Sequence, residues 1–192
     1  MEKTFIQWIE HINTGRSIKL KQFEYIANQI YQWYSIDVDG NKNDLGKMKM
    51  HKLFIFLISS SEYLLNKFNN IEGTAFGRYE DDIFQYMKKF DSYDYISITK
   101  DHTEILPKSK LHLLYEEVSV EFKIEVEKAF RILKTRNSKI ILLPTFDLID
   151  IDRYHYSAKK AYDYAKSNNK SSSTVSIKDI LIEDKIYHKS VF

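Results

Sequence analysis

The segment Lys47-Met-Lys-Met-His-Lys-Leu-Phe-Ile-Phe-Leu-Ile58 constrains this chain more than any other. Its second half is an unbroken apolar run, and a helix with that composition is apolar on nearly every side. Such a helix belongs inside a domain with other helices laid against it. The run is far short of the ~20 apolar residues that span a bilayer, so it reads as a core element of a chain with no membrane segment. The pattern predicts one helix over residues 47–68, broken by the polar stretch 69–73.

Helices to surround it are legible on both sides. Phe5, Trp8, Ile9 and Ile12 fall at helical spacing, and Asn13-Thr14-Gly15 reads as the end of that short helix. Leu20, Phe23, Ala27, Ile30 and Tyr34 repeat the pattern over residues 19–35. A polar loop over 37–46 turns at Asp39-Gly40. Residues 74–79 read as a short extended piece. Asp81 and Asp82 then sit where a helix N-terminus favours negative charge, with Ile83, Phe84, Met87 and Phe90 as the buried stripe of that helix.

Residues 93–99 alternate and are rich in β-formers, which predicts a hairpin turning at Lys100-Asp101 and ended by Pro107. Helical patterns follow over 111–116 and 119–136, the second with Val120, Ile124, Val126, Phe130 and Leu133 near one side. A short apolar run over 140–143 precedes Pro144. A last long helix is expected from Thr145, its cap, through Leu148, Ile151, His155, Ala158, Tyr162 and Ala165. The expected class is mainly α: a helical domain over 1–166 with a small β-hairpin element. A polar linker over 167–175 and a C-terminal short helix and tail over 176–192 complete it, the helix opened by a capping signal at Ser176-Ile-Lys-Asp179.

Composition narrows the chemistry. At 192 residues, 43% apolar and 29% charged, the chain has the length and content for a buried core. It has no cysteine, so disulfides, thiolate zinc sites and thiol catalysis are excluded. This fits a reducing compartment, and the absence of a signal-peptide core at the N-terminus reads as cytoplasmic. A net charge of +2 is too balanced to announce a nucleic-acid binder.

One dense carboxylate–histidine group stands out: Asp147, Asp150, Asp152 and His155. A divalent ion or an acid–base pair uses such a set. The competing reading is preferred: His155 lies on an apolar stripe as a packed histidine, and acidic residues near a helix start complement its dipole. His112 with Glu116 and Glu117 makes a weaker group of the same kind. There is no glycine-rich phosphate loop, no His pair at metalloprotease spacing and no nucleophile elbow. No catalytic, metal or cofactor residue is therefore assigned. Arg153, Tyr154, Lys159, Lys160, Tyr162, Tyr164 and Lys166 form a basic–aromatic run of the kind that binds single-stranded nucleic acid, but Asp152 and Asp163 interrupt it. Phe76, Arg78 and Tyr79 read differently. They sit on a loop or strand edge, and aromatic and arginine side chains are the usual anchors of protein–protein contacts. The alternative is that Phe76 and Tyr79 close the core over the Lys47 helix.

The order of parts resembles the Panacea domain, the family that includes the SocA-like antitoxins. Lys49-Met-His-Lys52-Leu-Phe-Ile-Phe56 matches the register of that family's Lys-Leu-Gln-Lys-Leu-Leu-Tyr-Phe helix. Thr74-Ala-Phe-Gly-Arg-Tyr79-Glu-Asp-Asp-Ile-Phe84 occupies the place of its extended Phe-x-Ala-x-x-Tyr-Gly-Pro-Val piece, here without the Gly-Pro pair. His155, between Phe146 and Tyr162, is similar to the family's helical histidine, with no tryptophan after it. The similarity spans roughly residues 20 to 185. The family-motif positions are thus Lys49, Lys52, Tyr79 and His155.

The resemblance implies a non-enzymatic, antitoxin-like protein that neutralises a cognate toxin by direct contact. SocA-like members can also deliver the toxin to a protease. Phe76, Arg78 and Tyr79 are the expected partner-binding residues. Two alternatives stay open: a phage or mobile-element inhibitor of a host defence protein, and a nucleic-acid-binding regulator.

Overall fold

The computed structural model of the chain describes residues 2–37, 43–106 and 111–188. The fold is mainly α with minor β. In chain order the elements are α1 (Glu2–Asp37), α2 (Lys47–Ile58), α3 (Glu62–Lys67), β1 (Ile71–Thr74), β2 (Gly77–Glu80) and α4 (Asp81–Lys89). A second hairpin, β3 (Ile96–Ile98) and β4 (Thr103–Ile105), follows. Then come α5 (Leu111–Glu117), α6 (Val120–Arg136), a 3-10 turn (Ile140–Leu142), α7 (Thr145–Tyr154), α8 (Tyr156–Ser167), β5 (Ser172–Thr174) and α9 (Ile177–Ile182). Among the described residues no helix is long and apolar enough to cross a membrane.

Helix α2 is the centre. Its residues from Lys49 through Ile58 are all buried, and α1, α6 and α7 lie against it. Phe23, Ala27, Ile30 and Tyr34 of α1 enter the core, as the spacing predicts. So do Phe122, Val126, Phe130 and Leu133 of α6, whereas Val120 and Ile124 face outward. Edge-to-face ring pairs join these layers, with Phe54 at 5.2 Å from Phe23 and 4.9 Å from Phe68. Burial also reaches Glu24, which accepts the Tyr95 amide at 2.7 Å. Desolvation pushes its carboxyl up to about 7.

Several boundaries differ from the sequence expectation, each for a local reason. Residues 2–37 form one helix, which runs through Asn13-Thr14-Gly15; the apolar stripe of its first half lies outside the described side chains. The expected 47–68 helix is two helices. Ser60 Oγ bonds back to the Phe56 carbonyl at 3.1 Å, and Ser61 Oγ accepts the Leu64 amide to start α3. Asp81 and Asp82 lie in the first turn of α4, as expected, and Glu80 caps it: its carboxylate accepts the Ile83 amide at 2.9 Å and pairs with Lys19. Phe90 is exposed and so leaves the stripe of α4, while Ile83 and Met87 are buried. The expected long helix from Thr145 breaks at His155, whose ψ of 136° is extended, and Thr145 is the first residue of α7 rather than its cap.

The expected linker over 167–175 contains β5, which pairs antiparallel with β1 in a three-stranded sheet of order β2-β1-β5. Gly73 lets α8 pack closely against this sheet, because a Cβ there would meet Ala161 of α8 at 2.7 Å. Ser176 Oγ accepts the Asp179 amide and caps α9, as its sequence signal predicts. The Asp39-Gly40 turn, Pro107 and the last four residues of the tail lie outside the described residues.

Candidate functional site

Three of the segments singled out in the sequence meet behind the β1–β2 hairpin. From α2, Lys52 Nζ donates to Asp152 Oδ2 at 2.8 Å and to the Arg78 carbonyl at 2.7 Å. From β2, Arg78 donates its backbone amide to Asp152 Oδ2 at 2.6 Å and its Nε to Oδ1 at 2.8 Å. Asp152 comes from the last turn of α7. A fourth segment, unforeseen, closes the cluster: Glu183, just after α9. Its Oε1 accepts from Arg78 Nη1 at 2.7 Å, and its Oε2 accepts the Ser157 amide at 2.8 Å. All four charged side chains are essentially inaccessible.

The break at His155 explains the geometry. It aims the last turn of α7 and the first turn of α8 at the same buried point. The opening amides of α8 have no partner within that helix, and His155 offers no side-chain cap. The Glu183 carboxylate takes the Ser157 amide instead, where the helix dipole favours negative charge. His155 itself is buried, with Nδ1 3.1 Å from the Ile151 carbonyl.

Electrostatically the cluster sets Lys52 and Arg78 against Asp152 and Glu183, with Lys185 Nζ a further cation 3.7 Å from Glu183 Oε1. Burial alone would raise the Asp152 carboxyl, but Lys52 and Arg78 override it and hold it far below the usual carboxylate range. Burial pulls Lys52 down, opposed by Asp152, while Asp152 and Glu183 overcome burial and keep Arg78 raised. Burial, with Arg78 beside it, lowers His155 to about 4, and burial, with Lys52 beside it, lowers His51 to about 3. These imidazoles are neutral in the folded chain.

Their sign gives a testable pH dependence. A depressed folded pKa means that the unfolded chain takes up the proton first as pH falls. The contribution of His155 is therefore intact above its unfolded value near 6.5 and is lost as pH drops towards about 4. Urea unfolding of the wild type and His155→Gln across pH 4 to 7 should show the wild type losing stability relative to the variant as the solution is acidified. A pH-independent difference would show that His155 is not held neutral by the fold. Comparing the two proteins cancels the opposing contribution of Glu24.

Most of the sequence-predicted residues find structural work. Asp152 is consumed by its ion pairs. Asp147 and Asp150 do not join it: Asp150 lies near Arg153 at 3.7 Å. Lys49 is buried at a separate point, bonded to Asp44 at 2.8 Å and set over the Tyr34 ring. His112 and Glu116 are exposed on α5, and Glu117 binds Lys21 and the Tyr95 hydroxyl. Among the described residues no three carboxylates and histidines are placed to hold a metal ion. The basic–aromatic run is partly neutralised, because Lys160 pairs with Asp179 at 2.7 Å.

The partner-binding trio separates. Arg78 is 0% exposed, so it is a buried tie and not part of a contact surface. Tyr79 is half-buried, its hydroxyl bonded to Glu72 at 2.9 Å and its ring 4.9 Å from Phe84. Phe76 remains outside, 63% exposed at the hairpin tip. The tip is closed by Thr74, whose Oγ1 donates to the Gly77 carbonyl at 3.0 Å and accepts the Phe76 amide at 3.1 Å. Beside it, Thr74, Asp150, Arg153, Tyr154, Lys159 and Tyr162 line a cleft of about 320 Å³. Ser157, Glu183 and Tyr187 were missed, since Glu183 lies 105 positions from Arg78 and no local pattern marks it.

No protein-family model matches the chain, and neither a curated protein nor a solved structure matches it.

Proposed function

We propose that this chain is a non-catalytic binding protein of the antitoxin type, which acts by covering a partner protein with a rigid helical body. The observation that carries this reading is Phe76. A large apolar ring stands in solvent at the end of a hairpin whose base is locked by Arg78, Asp152 and Lys52. Exposed aromatic side chains on a preorganised support are what binding hot spots are made of, since little ordering entropy is then lost on association. Phe146, 79% exposed, and Tyr154, 61% exposed, are further aromatic side chains that α7 presents to solvent.

The Panacea-like reading draws support from where its motif residues lie. Lys52 joins the buried cluster and His155 is buried beside it, Tyr79 lies on the strand of Arg78, and Lys49 is buried at a separate point. In this reading they are a scaffold, and the contact surface is the tip they hold in place. Phe76 therefore replaces the trio as the anchor, with Tyr79 steadying its strand.

The test is growth rescue and co-purification with the product of an adjacent gene. Phe76→Ala should weaken the complex at least tenfold while changing the unfolding free energy by no more than about 0.5 kcal/mol, the usual range for a surface change. Undiminished rescue and binding by a folded Phe76→Ala protein would remove the tip from the interface.

A further inference from the structure

The segment after α9 is bound as a ligand would be. Residues 183–187 form no helix or strand, and one local backbone bond, Ile186 N–H to the Asp184 carbonyl at 3.1 Å, is present within them. They are held through two side-chain anchors. The Glu183 carboxylate is gripped by Arg78 Nη1 at 2.7 Å and the Ser157 amide at 2.8 Å. The Tyr187 ring is buried between Phe56 at 5.6 Å and His155 at 6.1 Å, with its hydroxyl 2.9 Å from Ser60 Oγ. Asp184, between the anchors, faces solvent.

The main chain of this strap is also read from outside. Asn137 Nδ2 donates to the Tyr187 carbonyl at 2.5 Å, and Arg136 Nη1 to the Lys185 carbonyl at 3.4 Å. Side chains that grip the main-chain carbonyls of an irregular segment bind it with little regard to the residues between its anchors. Two buried polar atoms beside the strap, Arg78 Nη2 and His155 Nε2, find no partner in it. The groove thus has more hydrogen-bonding capacity than its present occupant uses.

We propose that this groove is a docking site for a peptide that carries a carboxylate four residues before an aromatic ring, and that the strap occupies it in cis. The strap is then a self-ligand, and a partner peptide of the same chemistry competes with it. Release withdraws the Glu183 and Tyr187 anchors from the core but no strand or helix, since residues 183–187 form neither. This site is distinct from the Phe76 tip but shares Arg78 with it: the backbone amide and Nε of Arg78 hold Asp152 behind the hairpin, and its Nη1 grips Glu183.

The test uses the full chain with both anchors removed, Glu183→Ala with Tyr187→Ala. The probe is a fluorescein-labelled peptide of residues 181–188, followed by anisotropy. The double variant should take up the probe at least tenfold more tightly than wild type, whose groove is filled. A probe with Gln in place of its Glu and Ala in place of its Tyr should lose at least tenfold. A folded double variant that binds neither probe overturns the proposal, as does one that only dimerises. Should the double variant not fold, hydrogen exchange in the wild type decides. The Ser157 amide, bonded to the strap alone, should exchange at least tenfold faster than core amides such as Leu53. Exchange at the core rate would mean that the strap never leaves by itself and would end the idea.

Discussion

Asp152→Asn lowers the unfolding free energy by about 3–5 kcal/mol, the cost of breaking a buried ion pair from one side. The substitution keeps the shape of the side chain and leaves Lys52 and Arg78 facing one another in a site from which water is excluded. Only Glu183 then remains to balance them. For a domain of this size, that loss corresponds to a fall in Tm of about 10 °C. Urea unfolding at neutral pH measures it. The same experiment separates structural from chemical roles for the acidic group: Asp150→Asn, on the half-exposed side of α7, should stay within about 0.5 kcal/mol. If Asp152→Asn is equally mild, the buried cluster does not hold the hairpin, and the rigid support argued for Phe76 is lost with it.

The second large effect is expected at Gly77. Its φ is +82°, a conformation that side chains with a Cβ rarely adopt, and an added Cβ would stand 2.3 Å from Asp152 Oδ2. Gly77→Ala therefore combines backbone strain with displacement of the carboxylate at the centre of the ion pairs. A loss of about 3 kcal/mol follows from strain of this kind together with a disturbed buried pair. Because part of the penalty is the collision with Asp152, the two changes should not add. Gly77→Ala in an Asp152→Asn background should cost less than the two separate losses combined. Strict additivity in a double-mutant cycle would place the penalty entirely in the backbone. Binding should suffer too, since Gly77 sets the position of the neighbouring Phe76.

The resemblance to the Panacea domain rests on short motifs, and two charges within them, Lys52 and Arg78, share a structural task. Lys52 looks, in sequence, like one charge in an otherwise greasy helix. In the fold it is the reason such a helix can contain lysine, because Asp152 and the Arg78 carbonyl satisfy it. Arg78 reads locally as a surface residue, flanked by Gly77 and Tyr79 near a turn. Only Asp152 and Glu183, 74 and 105 positions away, make it a core residue. Long-range charge pairing leaves no periodic trace, and so the burial of these groups was invisible.

Elements set by local chemistry were legible. The apolar content of residues 53–58 placed α2 at the centre, the alternation at 93–99 marked a hairpin, and Ser176 marked the start of α9. Elements set by contact across the chain were not. The strand at Ser172–Thr174 has a composition that reads as a polar linker, and it is ordered by pairing with β1. The break at His155 interrupts a sound helical pattern so that two helix ends can share one ion cluster.

The amino-acid sequence alone determined that a greasy central helix would be wrapped by amphipathic ones, because apolar spacing and turn residues act within a few positions. Which charges go inside, where the C-terminal strap lies and which aromatic is left in solvent were decided by the tertiary structure. Those outcomes depend on partners brought together from distant parts of the chain, and a buried charge is stable only where its counter-charge arrives.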